Sequence, residues 1–148
     1  MARSATLHVV VQAGLKAGKS LSRDFGEVQN LQVSVKGPGD FVSQADKRSE
    51  EIIFNELKRA RPDYSFLMEE GGSVDGSDPQ HRFVIDPLDG TTNFLHGIPM
   101  FAISIALERQ GQIVAGVIYN PAMDELYTAE RGGGGGRSGT QDLSARVD

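Results

Sequence analysis

Two aspartates three residues apart, Asp86 and Asp89, sit in the stretch FVIDPLDGTTNF (residues 83–94), with a proline between them and Gly-Thr-Thr directly after. Carboxylates held close together repel one another, which raises a pKa or costs stability unless something cationic lies between them. The motif contains no lysine or arginine, and its flanking residues are apolar. Oxygen-only donors of this kind suit hard divalent cations, above all Mg²⁺. The Leu88 carbonyl, freed from a strand ladder by the turn at Pro87, is a further oxygen donor. Gly90 allows close backbone approach, and Thr91, Thr92 and Asn93 can begin a helical turn whose amides point at an anion. Metal-binding carboxylates beside an anion-binding turn make a phosphoester site. A lone Asp-x-x-Asp is more often a structural turn; the apolar strand before it and GTTN after it tip the reading towards chemistry.

Such a site must be carried by elements that the rest of the chain provides. Residues 4–24 read as an amphipathic helix, with Leu7, Val10, Val11, Ala13, Leu15 and Leu21 on one side. LQVSV (31–35) alternates like a strand, and KGPGD (36–40) reads as a turn. A second helix is expected from Ser43 to Arg59 on the pattern Ala45, Ile52, Ile53, Leu57, with Pro62 beyond its end. YSFLM (64–68) is expected to be a short buried strand delivering Glu69 and Glu70. Residues 71–80 read as a polar loop, and RFVI (82–85) as a strand that Pro87 ends. FAISIALER, QIVAGVIYN and ELYTAER then form an antiparallel meander. Helices first and a mainly antiparallel sheet after give an α+β layout, with two helices packed on the sheet. Gly132 to Gly136 is a run of five glycines. Residues 1–131 are therefore read as the ordered portion and 132–148 as a flexible tail or linker, with a phosphate loop as the minor alternative.

Composition narrows the classes. The chain has 148 residues, a length for one domain, and a formal charge of −5 that argues against a general nucleic-acid binder. No apolar run is long enough to span a membrane, and the N-terminus does not read as a signal peptide. With no cysteine, thiolate metal sites and disulfides are excluded, and a cytoplasmic location is expected. His8, His81 and His96 read as surface or supporting residues rather than ligands. Glu70 reads as a supporting or solvent-exposed acid, and residues 46–51 as a solvated helix face apart from Asp46. Lys36 is a weaker candidate for approaching the site.

VIDPLDGTTNF resembles the first signature of the inositol monophosphatase family of Mg²⁺-dependent, Li⁺-sensitive phosphatases, and looks closest to its bacterial branch. KGPGDFVSQAD, FLMEEGG and GVIYNPAMDELYTAERG follow in family order and spacing. The resemblance implies the layered fold shared with sugar phosphatases. It implies a metal set of Glu69, Asp86, the Leu88 carbonyl and Asp89, holding Mg²⁺. Asp46, Glu69 and Thr91 match the residues that orient or deprotonate the attacking water, and Asp89, Gly90 and Thr91 match positions facing substrate, the last two through their amides. The reaction implied is direct attack by a water that the cations activate, without a covalent enzyme intermediate.

Members of the family continue into a second α/β portion with a tryptophan-aspartate motif, whose aspartate completes a second metal site. This chain contains no tryptophan. The expected substrate is a small phosphorylated polyol or sugar, inositol monophosphate first, with fructose 1,6-bisphosphate and 3′-phosphoadenosine nucleotides as runners-up. A homodimer is implied by the family habit. Bacterial members that bind RNA polymerase or antitermination factors imply a second class of reading, a regulatory binding protein. A third is an inactive fragment with an incomplete metal pocket.

Overall fold

The computed structural model describes residues 3–28, 30, 37–132 and 134–138. Helix α1, Ala5–Glu27, starts at Ser4, whose hydroxyl oxygen accepts a hydrogen bond from the Leu7 amide at 3.1 Å. Such a cap satisfies one of the amides a helix start leaves unpaired and is worth about 1 kcal/mol. Leu7, Val10, Val11, Ala13, Ala17 and Leu21 are buried along one face, while Leu15 is only half-buried. Helix α2, Gly37–Ala60, begins earlier than the expected start at Ser43 and absorbs most of the expected turn at 36–40. Proline is tolerated in a first helical turn, because the amide it lacks would have no partner there. Asp40 in that turn and Lys58 and Arg59 in the last one complement the helix dipole. The expected strand at 31–35 and Lys36 lie outside the described residues.

The strands are β1 (Ser65–Met68), β2 (Gly72–Val74), β3 (His81–Asp89), β4 (Ala102–Arg109), β5 (Gln112–Asn120), β6 (Glu125–Glu130) and β7 (Gly134–Ser138), with a short helix α3 (Thr91–Leu95) between β3 and β4. They form one sheet in the order β2-β1-β3-β4-β5-β6-β7. Only β1 and β3 run parallel; the other pairs are antiparallel, and β4-β5-β6 is the expected meander. Two stretches read from sequence as irregular hold strands instead. β2 lies in the polar loop at 71–80, and β7 lies in the glycine run, its backbone pairing with β6 from Gly134 to Ser138. A ladder is made by amides and carbonyls, so glycine loses no hydrogen bond there, only entropy. Residues 139–148 lie outside the described residues.

Alternation on the strands sends one set of side chains beneath the helix pair: Phe83 and Ile85 from β3, Ile103, Ile105 and Leu107 from β4, and Val117 and Tyr119 from β5, all buried. α1 packs over β4 and β5, and α2 over β3. A cluster of three rings then anchors α3. Phe101 lies 4.9 Å, centroid to centroid, from both Phe25 of α1 and Phe94 of α3. The Asn93 side chain adds a bond to the Met100 carbonyl at 2.8 Å.

Gly18 brings α1 close against the sheet: a Cβ there would come within 2.4 and 2.8 Å of the buried Tyr119 ring. Gly18→Ala gains up to about 1 kcal/mol of helix propensity, but forcing an extra methyl into a packed layer costs about 1–3 kcal/mol. The clash wins, and urea denaturation should show a net loss of about 1–2 kcal/mol.

Candidate active site

The opening aspartates are placed by an irregularity in β3. The β3–β4 register shifts between Asp86 and Asp89, and Pro87 and Leu88 are both buried, which breaks the strict alternation set by Phe83 and Ile85. Without the shift, residues three apart on a strand would face opposite ways. With it, Asp86 is half-buried and Asp89 exposed at the same strand end. The Leu88 amide donates to Asp86 Oδ1 at 3.3 Å. β3 thus runs on to Asp89 through a bulge, rather than ending at Ile85 as the sequence suggested. The Leu88 carbonyl lies inside that irregularity.

One turn of α2 holds this strand end and its neighbour. Asp46, Ser49 and Glu50 are spaced i, i+3, i+4, so they share a helix face, and all three are buried. The Ser49 hydroxyl donates to the Pro87 carbonyl at 2.8 Å. Glu50 accepts from the amides of Glu70 and Gly71, each at 2.9 Å, and so fixes the turn after β1 that carries Glu69. Ser49 and Glu50 correct the expectation that 46–51 is a solvated face. The sequence signal for them was there: their spacing from Asp46 places them on its own side of the helix.

Among the described residues, the electrostatics are those of an acid cluster without a paired cation. Asp46 is pushed up to about 7, first by burial and then by the charges of Glu69, Glu70, Asp86 and Glu50. Burial, then Asp86 and further acids, raises Glu69. Burial, then Asp89, raises Asp86. The Asp46 Oδ1 atom is enclosed and has no hydrogen-bond partner. Among the described residues, no lysine, arginine or histidine is ion-paired to Asp46, Glu69, Asp86 or Asp89. Nor do any three acidic, histidine or cysteine side chains among them stand close enough to form a ready-made metal group. The carboxylates therefore share a field without sharing a focus. Their chemistry, all oxygen with one unpartnered buried atom, fits a hard divalent cation.

Gly90 turns the chain from β3 into α3 with φ of 90°, a left-handed conformation, and a Cβ there would meet the Met100 carbonyl oxygen at 2.9 Å. That position requires glycine. Thr91 opens α3 and is exposed, as are Glu69 and Glu70. The histidines are elsewhere: His8 is exposed on α1, His81 stacks on Tyr64 at 4.4 Å, and His96 contacts the Thr92 carbonyl at 2.8 Å. No helix among the described residues is long and apolar enough to cross a membrane.

A family model described as Inositol monophosphatase family matches residues 3–146. The inositol-1-monophosphatase of Mesorhizobium japonicum is 79% identical over 134 residues, which are 90% of this chain and 50% of that protein. The Nus factor SuhB of Escherichia coli K12 is 39% identical over 128 residues, 86% of this chain and 48% of that one. The crystal structure of extragenic suppressor protein suhB from Bartonella henselae matches with a TM-score of 0.80 and 70% identity, covering 89% of this chain and 51% of that chain. The chain spans about half the length of the curated relatives it matches.

Two outcomes follow from this geometry. Between its ordinary 3.8 and about 7, folded Asp46 keeps a proton that the unfolded chain has lost. The stability this proton contributes is full below pH of about 4 and is lost as pH rises to about 7. In metal-free buffer, the fall in melting temperature over that window should therefore be shallower in Asp46→Asn than in the parent; equal slopes would refute the assignment. Glu50→Ala removes the acceptor of two part-buried amide bonds, each worth about 0.5–1.5 kcal/mol net. Urea denaturation should show a loss of at least about 1 kcal/mol, with faster amide exchange at Glu70 and Gly71.

Proposed function

The chain belongs to the inositol monophosphatase family, and we propose that its carboxylates serve Mg²⁺-dependent hydrolysis of a small phosphate monoester, inositol monophosphate first among them. The observation that carries this reading is Asp46, an enclosed acid with an unpartnered oxygen, facing Glu69 and Asp86 with no cation paired to them among the described residues. Glu69, Asp86, the Leu88 carbonyl and Asp89 would hold the ion, which would supply charge stabilisation to the phosphoryl group and acidify water.

The chain's own residues do the rest. Asp46 and Thr91 stand on α2 and α3, two helices in contact. A Thr91 hydroxyl that donates to Asp46 keeps its lone pairs free to accept a hydrogen from water, which orients the nucleophile. Glu69, raised above the ordinary carboxylate range, is the better proton acceptor for it. The Gly90 and Thr91 amides are assigned to phosphate oxygens, and exposed Asp89 to the rim where the alcohol of the substrate lies. Fructose 1,6-bisphosphate and nucleotide 3′-phosphates would use the same carboxylates and differ only in the rim.

A second reading is favoured by relatives named Nus factor SuhB: a binding role alongside RNA polymerase or antitermination factors. Asp86→Asn separates the two, since it removes a metal ligand but leaves the surface shape. Capture of such a factor that survives Asp86→Asn favours the binding role.

The deciding experiment is phosphate release from inositol 1-phosphate by this chain, with and without Mg²⁺, beside Asp86→Asn. Loss of a supporting residue behind a metal ligand costs about 10–100-fold, so loss of a ligand should cost roughly 100-fold or more. Mg²⁺-dependent release that falls this far supports the assignment. Release that persists in Asp86→Asn overturns the site, and no release from folded protein overturns activity for this chain. Mg²⁺ at 100 times its dissociation constant should also add about 2.7 kcal/mol of stability, and Asp86→Asn should abolish most of that gain.

A further inference from the structure

A groove of about 450 Å³ lies between α1 and α2, away from the carboxylates, and takes no part in the reading above. From α1 come Lys16, Lys19, Ser20 and Arg23, spaced i, i+3, i+4, i+7 and so on one helix face. From α2 come Arg48 and Glu51. The molecule as a whole carries −5, so four cations along one groove run against its overall charge.

These cations are not equivalent. Lys16 Nζ lies 2.5 Å from Glu56, and Arg48 Nη2 lies 3.0 Å from Asp24. Both are occupied and serve as the groove's frame. Lys19 and Arg23 have no acidic partner at ion-pair distance among the described residues. Glu51 sets one negative charge against them without cancelling both. Between Lys19 and Arg23 in the spacing lies Ser20, 7% exposed, whose Oγ is enclosed and makes no hydrogen bond. A hydroxyl taken out of water without a partner is a loss that a structure normally avoids.

We infer that this groove is an oxyanion site for a phosphate-class ligand, whose oxygens accept from Lys19 Nζ and the Arg23 guanidinium, with the enclosed Ser20 hydroxyl turning about χ1 to join them. An ammonium, a guanidinium fork and a hydroxyl are all donors, and bonds from charged donors to phosphate oxygens are among the strong ones. The ligand class is either inorganic phosphate or a linked diphosphate, which the spread of Lys19 and Arg23 over one helical turn accommodates. The site is independent of the metal carboxylates: it needs no divalent cation and shares no residue with them.

The test is calorimetric titration of the 148-residue chain with inorganic phosphate and, separately, pyrophosphate, in EDTA. Saturable binding is expected, and whichever probe binds more tightly identifies the ligand length. Lys19→Gln combined with Arg23→Gln should weaken binding at least tenfold while the melting temperature is retained. Ser20→Ala, which removes one donor and little volume, should weaken it severalfold. Asp86→Asn should bind as the parent does, which keeps this result apart from the phosphatase reading. No saturable binding by folded parent chain, undiminished binding by the double variant, or loss of binding in Asp86→Asn would each overturn the inference.

Discussion

The site hangs on two hydrogen-bond attachments made by one turn of α2. Ser49 holds the Pro87 carbonyl and Glu50 holds the Glu70 and Gly71 amides. These are backbone groups at the ends of β3 and β1, the strand ends that carry the site's acids. Strand ends are where a sheet leaves amides and carbonyls unpaired, and a buried helix face that satisfies them fixes their distance from the helix. Asp46, one turn earlier, is then brought to the same place with no choice of its own.

That attachment explains how a repulsive cluster survives. Glu50 is itself an acid, but its two oxygens are satisfied by amides, so its burial is compensated. Asp46 has no such compensation for Oδ1 and is pushed up to about 7. The difference between two buried acids four residues apart is therefore one of partners, not of depth, since both are 6% exposed. The satisfied one organises backbone; the unsatisfied one keeps an enclosed oxygen without a partner.

Much of this was legible in the sequence because it is local. The DPLDGTTN stretch implied a turn between two carboxylates, and β3 delivers it as a bulge with glycine at a positive φ. The helical spacing of Leu7 to Leu21 and the three meander strands also carried through, since periodicity reports directly on which face is buried. What failed depended on distant partners. Ser49 and Glu50 looked solvated in a run of charged residues, and only the arrival of β1 and β3 buries them. β2 and β7 were hidden because a ladder is written in backbone groups, which polar and glycine-rich sequences possess as fully as apolar ones.

α2 also divides the molecule's charge. Asp46, Ser49 and Glu50 point one way into the acid cluster, while Arg48 and Glu51, on the intervening positions, line the groove against α1. On a helix of 3.6 residues per turn, Arg48 is rotated about 200° from Asp46 and Glu51 about 140° from it, so the two sets face different ways. A single run, DKRSEE, therefore supplies the acids and anchors of one site and the frame of another. Its mixed charge gave it the look of an ordinary exposed helix because the two faces are interleaved in sequence. They separate only when the helix winds, and then the burial of one face is what leaves the other turned towards α1.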